Sequence, residues 1–417
     1  MEKNIEVIFK EFFYYKSGRF FVENIPVKTL AEKFGTPLYV YSKNYIIDRV
    51  GGIKNAFKPV NPLVCYSVKA NGNPEIIKIL NTKNCGMDVV SGGELSRCLK
   101  AGVKPEKIVY AGVGKKEEEI TLGITSNILM FNVESIPELQ SINLIAKKYH
   151  KKVQCALRIN LDIETDTHHY TKTSKKETKF GFPPEQVSFI LNNKKKYKNI
   201  DFTGIHFHLG SQLKTHIPYI TALEKLKIFL DNIKFILKVL DIGGGFGINY
   251  KPDEKVEDIN IFGEKISKFI LSNFKNTKLI MEPGRFIMGN SGILITKITY
   301  PKQTSHKNFL IIDAGMNDLI RPALYNSYHH ILPEKEKNTE NILWDVVGPV
   351  CETGDFLGKD RLLPEDLKSG DVIIIASTGA YGFAMSSNYN GRPRCAEILV
   401  DREKIKVIRK REDFLDL

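Results

Sequence analysis

The sequence predicts two architectures in one chain: an α/β barrel of the (β/α)8, TIM type, and an all-β domain after it. Three observations carry this. Eight short runs rich in β-branched residues alternate without a break with amphipathic helical stretches, from about residue 60 to residue 285. After residue 286 the helical period fades and strand-like runs separated by turns take over. The length, 417 residues, exceeds one ordinary domain and suits a long barrel with an addition.

Taken in order, the first element is FFYYKSGRFFVENI, which reads as a hairpin around Ser17-Gly18-Arg19. Residues 1–37 are therefore expected to pack with the β-domain, which would collect both chain ends. Residues 38–285 form the expected barrel, with strands at Leu63–Val68, Met87–Val90, Ile108–Ala111, Ile128–Val133, Val153–Ile159, Phe202–His208, Val239–Ile242 and Lys278–Met281. The intervening stretches carry a helical period; in the last, Ile259, Ile261, Phe262, Ile266, Phe269 and Ile270 mark the apolar face. Such alternation implies a parallel sheet. A closed barrel is the simplest closure of eight strands, and an open doubly wound sheet is its rival. Residues 286–417 form the expected β-domain, with strands in ILITKITY, NFLIIDAG, NILWDVVGPV, DVIIIAS and AEILVDREKIKVI.

Composition narrows the function classes. With 42% hydrophobic and 26% charged residues, the chain is globular and not disordered. The net charge of +13 invites a polyanion partner, but the basic residues are scattered and no zinc-finger spacing or RNA-binding signature accompanies them. A Lys-rich solvated surface is the simpler reading, with no nucleic acid. Six cysteines without a CxxC pair imply reduced thiols. The N-terminus lacks a signal-peptide core and no apolar run approaches 18 residues, so a cytoplasmic enzyme without a membrane span is expected.

Polar and glycine motifs gather at the C-terminal ends of the expected strands, the face where barrel enzymes build active sites. Lys69 ends the first strand in YSVKAN; either it snorkels to solvent, or partial burial makes its amine nucleophilic enough for a Schiff base. The glycines of DIGGGFG, Gly243 to Gly245, are either a tight turn or a phosphate cradle. A dinucleotide fingerprint is excluded, because Ile248 stands where its third glycine belongs. His206 and His208 are two residues apart on one strand and are expected on the same side; no third metal ligand has convincing spacing, so no metal is assigned. Glu282 and Arg285 bracket Pro283-Gly284, as an ion pair or as a carboxylate for a pyridinium proton beside a fork for a phosphate or carboxylate.

Seven motifs in order, YSVKAN, HFHLGSQ, DIGGGFG, EPGR, DAGMNDLIRPALY, CETGD and GAYG, resemble the diaminopimelate decarboxylases, of the alanine-racemase-like class of pyridoxal-phosphate enzymes. The resemblance spans about residues 25 to 400. It implies a (β/α)8 barrel plus a C-terminal β-sandwich or β-barrel domain, in a homodimer with active sites at the interface. It also implies that Lys69 holds pyridoxal 5'-phosphate as a Schiff base and His208 stacks on its ring, with Glu282 at the pyridine nitrogen. Ser211, Gly244, Gly245, Gly284 and the backbone at Arg285 would cradle the phosphate, with Tyr381 bonded to it.

For the substrate, the resemblance implies that Arg285, Arg321 and Tyr325 hold the distal carboxylate of meso-diaminopimelate and Glu352 its distal ammonium, with Tyr381 also among the substrate-binding residues. Cys351, from the partner subunit, would be the proton donor. A carboxylate at the ring nitrogen favours decarboxylation, because it keeps the electron sink protonated. Ornithine- and lysine-type decarboxylases of this fold read Cys-Asp where this chain has Cys351-Glu352, which favours diaminopimelate. A decarboxylase for another basic amino acid, or a non-catalytic pyridoxal-phosphate carrier, is the alternative. Asp166–Lys179 reads as a variable loop.

Overall fold

The computed structural model describes residues 2–163 and 179–417, so residues 166–178 of the expected variable loop lie outside the described residues. Two compact units emerge: Arg49–Gly247 with Val256–Phe286, and Met1–Asp48 with Ile248–Lys255 and Ile287–Leu417.

The first unit is a closed barrel of eight parallel strands. Its strands are Leu63–Ser67, Gly86–Val89, Ile108–Tyr110, Met130–Val133, Val153–Arg158, Ile200–His206, Val239–Asp241 and Lys278–Met281. Closure occurs where the eighth strand pairs with the first, Ile280 beside Leu63 and Met281 beside Val64. That pairing removes the open-sheet alternative. Both faces of these strands are covered, which is why they read as nearly continuous apolar runs. Cys65, Val109, Met130, Ala156 and Ile280 pack as an interior cluster, so the barrel is filled and not hollow.

Side-chain caps start four of the helices that follow the strands. Asn73 caps Pro74–Thr82, Ser91 caps Gly92–Lys100, Ser135 caps Ile136–Lys148 and Asp258 caps Ile259–Asn273. Each side-chain oxygen takes an amide that the first helical turn leaves unpaired. In the last of these helices Ile259, Phe262, Ile266 and Ile270 are buried, whereas Ile261 is 39% exposed.

The second unit is built on a nine-stranded mixed sheet. Its longest strand, Gly292–Gln303, pairs with Leu38–Ser42, Val372–Ile375 and Asn308–Ile312. Leu38–Ser42 lies between that strand and Ala396–Asp401 and is buried along its whole length. The expected barrel segment 38–285 therefore begins too early: residues 38–48 belong with the β-sheet unit. LYVYS is an apolar strand like those of the barrel, and only its pairing partners, far away in sequence, reveal which sheet it joins.

The N-terminal hairpin pairs Phe13–Lys16 with Arg19–Val22. Ser17 and Gly18 both have positive φ, as the tight two-residue turn requires, and Arg19 already starts the second strand. Phe9, Phe13 and Phe20 share a core with Ile293, Ile295, Ile374, Ile398 and Val400, which ties the first residues to the last strands. Among the described residues no helix is long and apolar enough to cross a membrane.

Candidate active site

Toward the C-terminal ends of the barrel strands the interior changes from apolar to polar. Asp88, Asn132, Arg158, His206, Asp241 and Glu282, from six different strands or strand ends, are all buried there. A buried polar layer requires hydrogen-bond partners, and these residues largely supply one another.

Lys69 follows the first strand in a short turn, Val68–Ala70. Its Nζ lies 3.4 Å from Asp88 Oδ2, which also accepts from Ser67 Oγ at 2.6 Å. The lysine side chain is 41% exposed and stands at the barrel mouth, just past the end of its strand. Asp88 beneath it is fully buried. Burial pushes the Asp88 carboxyl above the ordinary range and nearby Glu282 adds to this, while Lys69 opposes it.

The two histidines meet different partners. The sixth strand ends at His206, and His208 follows it. His206 Nε2 lies 3.3 Å from Glu282 Oε2, whereas His208 Nδ1 accepts from the Gly244 amide at 3.3 Å. Burial, reinforced by Lys69 and Arg158, pushes the His208 ring well below the usual range and keeps it neutral.

The glycine run is required by close backbone packing. A Cβ on Gly244 would lie 2.1 Å from the Glu282 carbonyl oxygen, and one on Gly245 would lie 2.5 Å from that of Gly210. Gly243 and Gly245 also have φ of +66° and +107°, where side chains are strained. The Gly243 amide bonds Asp241 Oδ1 at 3.0 Å, so two amides of the run are turned to Asp241 and His208. Beside the run, Arg285 donates to Ser211 Oγ through Nε at 3.1 Å and Nη2 at 2.8 Å. Gly284, immediately before it, is buried.

Glu282 follows the eighth strand. Its Oε1 accepts from Asn132 Nδ2 at 3.1 Å, and the same Nδ2 reaches Asp241 Oδ2 at 3.2 Å. Burial alone would push the Glu282 carboxyl up. The facing His206 and the Lys69 ammonium outweigh it and hold the carboxyl well below the carboxylate range. One possible ligand atom each of His206, Asp241 and Glu282 lies within 4.8 Å of the others, a grouping that sequence spacing did not reveal.

The remaining expected residues lie in the β-sheet unit. Arg321 is buried; it donates to Tyr250 Oη, Ser327 Oγ and His329 Nε2 at 3.3–3.4 Å. The rings of Tyr325 and Tyr381 stand 5.9 and 5.8 Å from its guanidinium carbon. Tyr381 has φ +59°, a conformation that non-glycine residues adopt mainly where the site demands it. Cys351 and Glu352 are exposed neighbours on one loop. The Cys351 amide donates to Asn390 Oδ1 at 3.2 Å, and Glu352 Oε2 accepts from Tyr389 Oη at 3.0 Å. Asp355, which also flanks Cys351 in sequence, is instead buried and accepts from the Met316 and Val350 amides.

Comparison with known proteins places this constellation. Residues 43–289 match the family of pyridoxal-dependent decarboxylases, pyridoxal binding domain. Diaminopimelate decarboxylase of Aquifex aeolicus is 48% identical over 403 residues, covering 96% of this chain and 95% of the relative. This chain belongs to the diaminopimelate decarboxylase family. Among solved family structures, that of M. jannaschii diaminopimelate decarboxylase in co-complex with L-lysine superposes with a TM-score of 0.92 at 36% identity, covering 100% of this chain and 97% of that one. The Helicobacter pylori diaminopimelate decarboxylase complexed with L-lysine gives 0.88 at 40%, over 94% and 98% of the two chains. The chain is thus a pyridoxal-phosphate-dependent carboxy-lyase by family.

Sequence reasoning for this decarboxylase passed over Asp88, Asn132, Arg158 and the Glu134 carboxylate that Arg158 meets at 2.9 Å. The signal was present: each is a polar residue within or at the end of a mostly apolar strand, a pattern buried residues rarely show without a reason. Tyr389 and Asn390 carried no comparable signal.

Proposed function

We propose that this chain removes carbon dioxide from meso-2,6-diaminopimelate to give L-lysine, as a cytoplasmic homodimer using pyridoxal 5'-phosphate. The observation that carries the reading is the pairing, in one barrel, of an amine at the mouth with a buried carboxylate held ionised, Lys69 and Glu282. The residue set fits the cofactor. Lys69 offers an amine for its aldehyde, Glu282 an acceptor for its ring N–H, and the Gly244–Gly245 turn a surface without side chains beside Ser211, Gly284 and Arg285 for its phosphate. Tyr381 is assigned to the phosphate as well.

When bound, pyridoxal phosphate supplies a protonated ring that takes up the electron pair left at Cα as carbon dioxide departs. The chain's own residues do the rest. Glu282 holds the proton at the ring nitrogen. His208, kept neutral by its surroundings, would lie against the ring without adding a competing charge. Arg321, Tyr325 and Arg285 bind the distal carboxylate of the substrate; the aromatic surroundings of Arg321 suit a fixed, planar carboxylate partner. Glu352 receives the distal ammonium. Cys351 of the second protomer returns a proton to Cα, and the exposure of the Cys351-Glu352 loop in a single chain supports its use across a dimer interface.

The L-lysine in two related structures supports lysine as the product. The match over 96% of the chain takes in the β-sheet unit with its Cys351-Glu352 loop, which supports an enzyme over a carrier built on the barrel alone. The test is carbon dioxide release from meso-diaminopimelate, lysine, ornithine, arginine and carboxynorspermidine in parallel, with Lys69→Ala as control. Release confined to diaminopimelate, and lost with the visible cofactor absorption in Lys69→Ala, is expected. Faster release from another substrate replaces the assignment.

A further inference from the structure

The polar layer under the barrel mouth holds two carboxyl groups that cannot both be charged. His206 ends the sixth strand, Asp241 the seventh, and Glu282 follows the eighth; His206 pairs with Asp241 in register, and Asp241 with Ile280. All three side chains are buried, and Asn132 Nδ2 bridges the two carboxyls. Two carboxylates this close, removed from water, share a proton between them.

The surroundings decide which one keeps it. Both oxygens of Glu282 meet donors or rings of basic character, Asn132 at Oε1 and His206 at Oε2, and the Lys69 ammonium lies across the mouth. Besides the Glu282 carboxyl, the oxygens of Asp241 accept from the Gly243 amide and the shared Asn132 amide, both neutral. Nothing at Asp241 offsets the loss of hydration that a second anion would suffer.

We propose that Asp241 is a positioning residue that stays protonated and donates its O–H to Glu282, so that of these two adjoining carboxyls only Glu282 carries a negative charge, while Asp88 stands apart against Lys69. The proposal rests on the reading of Glu282 as the partner of the cofactor's ring nitrogen. It adds the reason this carboxylate remains ionised so deep in the barrel: its neighbour gives a hydrogen bond where a second anion would repel it. Burial and the charge on Glu282 also push the Asp241 carboxyl well above the ordinary range.

Infrared difference spectra of the cofactor-free protein at neutral pH test this directly. Native minus Asp241→Asn is expected to show the stretching band of a protonated carboxyl; a carboxylate band in its place overturns the proposal. If Asp241→Asn fails to fold, Asp241→Ser gives the same comparison. Titration with pyridoxal phosphate supplies a second reading. Asp241→Asn, which mimics the neutral acid, should bind it with nearly native affinity. Asp241→Ala, without the hydrogen bond to a charged group, should bind about 10- to 100-fold more weakly. Equal, large losses in both variants would show that the charge of Asp241 matters and would overturn it. The underlying reading is judged separately with Glu282→Gln and 1-deaza-pyridoxal phosphate, which lacks the ring nitrogen. If Glu282→Gln still prefers the nitrogen-bearing cofactor as strongly as the native chain, the role of Glu282 fails, whatever the Asp241 band shows.

Discussion

Arg285 grips Ser211 with two donors, Nε at 3.1 Å and Nη2 at 2.8 Å, on one hydroxyl oxygen. A serine oxygen has two lone pairs, so both are engaged and its own proton is directed elsewhere. That leaves a donor, polarised by a neighbouring cation, beside the glycine turn assigned to the phosphate. Ser211→Ala should therefore weaken pyridoxal phosphate binding by about 10- to 100-fold, the range for a hydrogen bond to a charged group, while the cofactor-free protein melts nearly as before. Titration of the cofactor-free variant measures this. Native affinity would remove Ser211 from the phosphate's partners.

The glycine turn itself makes a sharper prediction. A methyl on Gly244 would sit 2.1 Å from the Glu282 carbonyl oxygen, which is backbone and cannot swing aside. Gly51, in the helix Lys43–Ala56, has open space around the same added atom. Gly244→Ala should cost about 1–3 kcal/mol or more of stability through overpacking, and should displace Glu282. Gly51→Ala should gain about 0.5–1 kcal/mol, because alanine suits a helix interior better than glycine. Chemical denaturation of both variants reads the two signs; a stable Gly244→Ala would mean the turn relaxes.

These two sites mark what the sequence makes legible. The eight barrel strands are visible because burial on both faces leaves them few polar residues, and the chemistry gathers at their ends, where Lys69, Glu282 and the glycine turn stand out. Relations between strands are not visible in the same way. Leu38–Ser42 looks like another buried strand, and its place beside Gly292–Gln303 and Ala396–Asp401 is fixed by residues more than 200 positions away. The partners of His206 and His208, Glu282 and the Gly244 amide, come from segments more than 35 positions further along the chain. The approach of Asp241 to Glu282, and the ties of Asn390 and Tyr389 to Cys351 and Glu352, depend on three-dimensional packing that no local pattern encodes.

Glu94 gives the cofactor-free protein a pH dependence. It accepts from the Val90 amide at 2.8 Å, and burial, with a contribution from Asp88, pushes its carboxyl from 4.5 up to about 7. The unfolded chain releases this proton near 4.5, whereas the folded chain retains it to about 7. Between those values the folded state binds more protons, so stability falls as pH rises through the window and levels off above it. The loss should be about 1–3 kcal/mol, allowing for solvent screening. Glu94→Gln keeps an acceptor for Val90 and removes the titration, so its urea midpoint should change less between pH 5 and pH 8 than the native one. Parallel curves for the two proteins would show that Glu94 is ionised throughout.

Cys351 is set on a loop whose amide is anchored by Asn390 at 3.2 Å and whose next residue, Glu352, is held by Tyr389 at 3.0 Å. Two consecutive residues are thus tied to two consecutive residues of another loop, the first through its amide and the second through its carboxylate. If Cys351 is the proposed acid that returns a proton to Cα, it should contribute about 10²–10⁴ to turnover. Cys351→Ala should lose that factor and keep its cofactor absorption and affinity, since the role proposed for the thiol is proton delivery and not cofactor binding. Stereochemistry gives the readout that a merely structural role would not move. In heavy water the native enzyme should place deuterium at Cα on one face only, and Cys351→Ala should place it on both, because solvent then supplies the proton from either side. Unchanged turnover with a single labelled face would assign the proton to another residue.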